Sequence, residues 1–235
     1  ELFPAGPQGA NMPFIGREDL LGQLADALPA SLEGRAWVVQ LIGEPGAGKT
    51  ELARRWIRGI DEKRRAYLHA EGFSERLAPA WRTFDLVVRQ LVRSRRKHLE
   101  AMPTELRAAV ARFVPDLLNN EGNAPSEDER LLLLGVRWLL SDELRPTLVF
   151  LDDLQWIDAP SLGLILELLR KPPPRGLLLV VTQRDTEQHA TDLTRLQELM
   201  RRERSGITVE VPPLSHDNIS ELAARLGASD SDPAW

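Results

Sequence analysis

Eight consecutive residues, Gly43-Glu44-Pro45-Gly46-Ala47-Gly48-Lys49-Thr50, carry the pattern G-x-x-x-x-G-K-T. Glycines at these spacings let backbone N–H groups turn inward around phosphate oxygens. A following helix adds the partial positive charge of its N-terminus. In such a loop the Lys49 ammonium reaches the β- and γ-phosphates, and the Thr50 hydroxyl binds Mg²⁺. Gly43, Gly46, Ala47, Gly48, Lys49, Thr50 and Glu51 are therefore the expected contacts of a nucleotide.

A second chemical feature lies about 100 residues downstream, where Leu148-Val149-Phe150-Leu151 ends in Asp152-Asp153. Two acids closing an apolar run resemble the Walker B motif. The expectation is a carboxylate at the end of a strand neighbouring the phosphate-loop strand. Asp152 is the candidate for Mg²⁺, with Thr50, and Asp153 for polarising an attacking water.

The elements that must position these groups follow from periodicity. Ala36 to Ile42 is a short apolar run that reads as a buried strand, and Leu52, Trp56 and Ile60 mark one face of the helix after the loop. Strand, Gly-rich turn and helix form the context that the motif requires. A helix is expected from about Asp19 to Leu28, stopped by Pro29. Further strands are expected at 66–70, 147–153, 177–182 and 207–211, with helices at about 129–144, 160–170, 192–203 and 217–226. Ser215 caps the last of these and Gly227 stops it. Leu77, Trp81, Phe84, Val88 and Leu91 mark another helix, and Leu106, Val110 and Phe113 one more. The strands are apolar throughout, which argues for a parallel sheet covered on both faces, with its site at the carboxyl ends.

Composition narrows the class. The chain has 235 residues, 43% of them hydrophobic, a net charge of −5 and no cysteine. This charge does not suggest a nucleic-acid surface. The lack of cysteine excludes thiolate metal sites and fits a reducing compartment, so the expected location is the cytoplasm. No apolar run approaches the ~18 residues of a membrane span. The chain begins without methionine, which predicts a segment of a longer protein. The basic run Arg93, Arg95, Arg96, Lys97 and His98 reads as a solvated helix end. Trp37, Trp56, Trp81 and Trp138 fall on apolar faces and are expected in the core. The four histidines have no metal-ligand spacing.

Phe14-Ile15-Gly16-Arg17-Glu18, about 27 residues ahead of the loop, and Leu148 to Asp158 (LVFLDDLQWID) add a more specific pattern. Together with the loop they resemble the STAND class of AAA-like P-loop NTPases. The likeness is to the ATPase modules of large LuxR-type, MalT-like transcriptional regulators and of cyclase- or kinase-linked signalling proteins. It covers residues 13–227. It implies an α/β P-loop fold with a five-stranded parallel sheet flanked by helices and the start of a helical lid. The domain division it suggests is an irregular lead-in over 1–13, a core over 14–211 with a helical insertion at about 74–145, and a truncated lid over 212–235, opening at Pro213-Leu214-Ser215. Ile15 and Arg17 match a segment that lines the adenine pocket, and Arg184 matches the sensor-1 arginine near the γ-phosphate. Asp153 stands where motor-type relatives carry Glu. Its side chain is shorter by one methylene, which suits a slow switch better than a motor.

The resemblance implies a regulatory module that binds ATP or ADP with Mg²⁺ and hydrolyses ATP slowly, with Lys49, Asp153 and Arg184 acting on the phosphates. The expected partners are the module's own downstream lid, winged-helix and sensor domains and, under nucleotide control, further copies of itself. Direct nucleic-acid binding and membrane contact are not expected. The alternative is a turnover ATPase that remodels a protein partner or loads on DNA. A small-molecule kinase is a third reading, disfavoured by the paired acids at one strand end.

Overall fold

The apolar runs assemble side by side into one sheet. The computed structural model describes residues 13–32, 36–60, 66–71, 80–118, 125–140, 147–170, 177–185 and 190–226. Its strands are β1 (Trp37–Gly43), β2 (Ala66–Glu71), β3 (Thr147–Asp152), β4 (Leu177–Arg184) and β5 (Gly206–Glu210). They lie in the order β2-β3-β4-β1-β5, and every pairing is parallel. Parallel neighbours need crossover connections, and helices supply them. α1 (Glu18–Leu32) precedes β1, and α2 (Lys49–Arg58) leaves it. Between β2 and β3 run α3 (Arg82–Ser94), α4 (Arg96–Glu100), α5 (Thr104–Val110) and α6 (Glu129–Leu140). α7 (Ala159–Arg170), α8 (Ala190–Glu203) and α9 (His216–Arg225) follow β3, β4 and β5.

Alternation along the strands divides the core into two layers. Val38, Val149, Leu151, Leu179 and Val181 pack with α3, α5, α6, α7 and α8 on one face. Val39, Leu41, Leu148, Phe150, Leu178 and Val180 pack with Leu24 of α1 and with Leu52, Trp56 and Ile57 of α2 on the other. Burial on both faces is why these strands are continuously apolar. Among the described residues, no helix is long and apolar enough to cross a membrane.

Several expectations need correction. β3 does not neighbour the phosphate-loop strand, because β4 lies between β3 and β1. α1 does not stop at Pro29 but continues to Leu32. A proline forfeits one helical bond, and so near the helix end that loss does not terminate it. β4 runs two residues beyond Thr182 because β1 continues to pair with it through Gly43 and Arg184. α5 ends at Val110, and Phe113 lies in the turn that follows. Arg95 is not solvated: it is 3% exposed and donates to Thr147 Oγ1 at 2.8 Å. Trp56 is buried, whereas Trp37, Trp81 and Trp138 are half-buried against the core edges. Residues 1–12, Leu77, the 141–144 end of the expected helix and Gly227 lie outside the described residues.

Candidate functional site

The loop after β1 closes through two left-handed glycines, Gly46 at φ 81° and Gly48 at φ 86°. A Cβ at either would meet no atom within 4 Å, so it is backbone conformation, not crowding, that selects glycine there. Gly43 is required for a different reason. A Cβ there would lie 2.3 Å from the Val211 carbonyl oxygen, because the chain leaving β5 presses against the end of β1. Gly48 is the N-cap of α2, so the first-turn amides of a ten-residue helix open onto the loop.

Lys49 is 6% exposed and donates to the carbonyls of Gly43 at 3.0 Å and Glu44 at 2.8 Å. Burial lowers its pKa from the ordinary lysine value. The carboxylates of Asp153 and Asp152 oppose that shift, and the Arg184 guanidinium adds to it. The Glu51 side chain is half exposed and lies 3.9 Å from the Arg58 guanidinium.

Thr50 Oγ1 donates to Asp152 Oδ1 at 2.9 Å. The Thr182 hydroxyl donates to the same oxygen and accepts from the Asp153 N–H at 2.8 Å. Asp152 Oδ2 lies 4.0 Å from the Arg54 guanidinium. The fold has therefore placed a hydroxyl and a 2%-exposed carboxylate side by side at the mouth of the loop. That pair of hard oxygens fits Mg²⁺, which is held by one or two protein ligands plus phosphates and waters. No cluster of three acidic, His or Cys side chains that would make an all-protein cage occurs among the described residues. Held there, Mg²⁺ would supply positive charge against the phosphates of a nucleotide.

Asp153 turns the chain sharply at φ 55°, ψ 59°, a costly backbone conformation for a residue with a Cβ. Its Oδ1 accepts from Gln155 Nε2 at 2.8 Å and lies 4.0 Å from Arg184 Nε. Arg184 also stands over the Trp156 ring, 5.9 Å from its centroid. Lys49, Thr50, Asp152, Asp153 and Arg184 thus converge at the carboxyl ends of β1, β3 and β4. Ile15 is buried, and its neighbour Arg17 is 7% exposed. Arg17 donates to the carbonyl of Ala47, in the loop, at 3.0 Å and to that of Pro212, beyond β5. Burial lowers the Arg17 pKa.

Sequence reasoning missed Thr182, Gln155 and Arg54. The signal for Thr182 was a hydroxyl at the end of an apolar strand. Gln155 stood inside a segment already singled out. Asp158, the last residue of that segment, serves the scaffold. It accepts from the Trp81, Thr83 and Ser161 amides at 2.8, 3.3 and 3.0 Å and from the Ser161 hydroxyl at 2.8 Å. One carboxylate thus joins the starts of α3 and α7. A groove of about 570 Å³ lined by Trp81, Leu133, Leu134 and Leu164 lies between α6 and α7, and no phosphate-loop residue lines it.

Comparison with known proteins bears on the fold and the family. No curated protein matches the chain. Its fold is similar to that of Cdc6p from Pyrobaculum aerophilum, with a TM-score of 0.61 and 18% identity, over 99% of this chain and 54% of the other. It is also similar to the Aeropyrum pernix ORC2 protein in its ADPNP–ADP complexes, at 0.54 and 21%, over 93% and 54%. Drosophila ORC bound to DNA gives 0.53 and 17%, over 95% and 49%. The chain spans about half the length of these solved chains. The family model of the AAA ATPase domain matches residues 13–181, from the Ile15–Arg17 segment through the loop and the paired acids into β4, and the chain belongs to that family.

Proposed function

We propose that this AAA ATPase domain is an adenine-nucleotide switch of the STAND type, with slow hydrolysis, within a signalling or transcription-regulatory protein. The observation that carries the reading is Arg17, whose guanidinium joins the carbonyl of Ala47 in the phosphate loop to that of Pro212 ahead of α9. A change at the phosphates that moves Ala47 is felt by the segment leading to the proposed lid. ATP shifts such an equilibrium only by binding one state more tightly than the other. Arg17 and Ile15 also lie where the adenine pocket is proposed, so ADP should compete for the site better than GDP.

In the proposed chemistry Lys49 and the loop amides hold the phosphates, while Thr50 and Asp152 present oxygens to Mg²⁺. Asp153 accepts a proton from a water whose oxygen bonds to the γ-phosphorus as the bridging P–O bond breaks toward ADP. That proton leaves with the phosphate. Arg184 faces the charge that builds on the γ-phosphate.

Steady-state turnover and light-scattering mass in ADP and in a non-hydrolysable ATP analogue test the switch. We expect turnover well below the ~1–10³ s⁻¹ common among enzymes, together with a change of mass on the analogue. Asp153→Asn should lower the residual turnover and spare binding, and Arg184→Ala should weaken discrimination of ATP from ADP. Fast turnover at constant mass would sink the switch and favour the second reading, an ATPase that remodels a partner or loads on DNA. The fold likeness to Drosophila ORC bound to DNA is what keeps that reading in view.

A further inference from the structure

β3 and β4 stop pairing before the site is complete. Their register ends at Leu151 and Val181, while β4 continues beside β1 as far as Arg184. Among the described residues, the β4 edge facing β3 has no strand partner beyond Val181. A side chain takes over, with Gln155 Oε1 accepting from the Arg184 N–H at 3.1 Å. The same carboxamide donates from Nε2 to Asp153 Oδ1 at 2.8 Å. Gln155 is only 8% exposed, so water competes weakly for either bond. Asp153 Oδ1 lies 4.0 Å from Arg184 Nε, close enough to attract and too far for a hydrogen bond. The amide donor takes one acceptor site on the carboxylate oxygen nearest the guanidinium.

We propose that Gln155 is the positioning residue of this site. It fixes the end of β4 and holds the Asp153 carboxylate off Arg184, so that Asp153 can orient water while Arg184 faces the γ-phosphate. Without it the two charges collapse into a direct ion pair and both are withdrawn. The inference rests on the nucleotide reading above.

The test compares three forms of the 235-residue chain with the wild type. Gln155→Met keeps the length and removes both bonds. Gln155→Glu keeps the acceptor for Arg184 and removes the donor. The third form places Gln155→Met in an Arg184→Ala background. Calorimetry of ADP on wild type and Lys49→Ala comes first, and equal affinities there would sink the nucleotide reading itself. Given binding, we expect Gln155→Met to lower single-turnover ATP hydrolysis about tenfold or more while leaving the Mg-ADP Kd within about twofold. Hydrogen exchange at the Arg184 amide should quicken in Gln155→Met and stay slow in Gln155→Glu, whereas both should lose hydrolysis. In the Arg184→Ala background the further loss on Gln155→Met should largely vanish, because no guanidinium remains to capture Asp153. Hydrolysis at the wild-type rate in Gln155→Met, or fully additive losses in the double variant, would overturn the proposal while leaving nucleotide binding intact.

Discussion

Thr50 and Asp152 stand 102 residues apart in the chain and 2.9 Å apart in space, hydroxyl to carboxylate. The bond joins the first turn of α2 to the end of β3 across the intervening β4. β4 contributes its own Thr182 hydroxyl to the same carboxylate oxygen. Three elements from distant parts of the sequence therefore meet at one atom.

Asp152→Asn keeps an oxygen acceptor for both hydroxyls and removes the charge. The fold should survive, with thermal unfolding in the absence of nucleotide shifted by only a few degrees. The Mg²⁺-dependent part of ADP affinity should be lost. Calorimetric titration with ADP in Mg²⁺ and in EDTA checks this, with equal Mg²⁺ enhancement in variant and wild type as the opposing result.

Lys49 gives a pH dependence of known sign. Burial lowers its pKa from 10.5, so between the lowered value and 10.5 the folded chain carries fewer protons there than the unfolded chain. Lys49 therefore costs stability at lower pH, and that cost is relieved as pH climbs through the window. Phosphate binding runs the other way, since it needs the ammonium. ADP affinity should fall across the same window in wild type, while Lys49→Arg, which stays charged, should show a flatter profile. A pH series of ADP titrations on both forms reads the difference.

Arg17 makes charge-assisted bonds to the Ala47 and Pro212 carbonyls from a 7%-exposed position. Arg17→Met removes both and leaves the Ala47 carbonyl without its buried donor, while water can reach that of the exposed Pro212, at a cost of about 1–3 kcal/mol. Urea unfolding should show that loss. ADP affinity should weaken with it, because Ala47 belongs to the loop. A variant of unchanged stability would mean that the two bonds do not persist in solution.

Asp158 accepts four hydrogen bonds that hold the starts of α3 and α7, although it closes the segment containing the site acids. Asp158→Ala should destabilise the chain by about 2–3 kcal/mol. At a temperature where the variant is folded, its ADP affinity should match that of wild type. Loss of affinity without loss of stability would place Asp158 in the nucleotide site after all.

The sequence alone determined the parts of the site whose geometry is local. Gly46, Gly48, Lys49 and Thr50 encode a loop and a helix start within a few residues, because φ sign, N-capping and periodicity are properties of neighbours. The apolar run ending in Asp152 and Asp153 was legible for the same reason. Only the tertiary structure decided that β4 separates β3 from β1, that Thr182 completes the Asp152 environment, and that Gln155 stands between Asp153 and Arg184. It also decided that Arg17 reaches Pro212, 195 residues away. Strand order and long-range partners are set by how crossovers and apolar faces bury together over the whole chain, and that sum is contained in no window of adjacent residues.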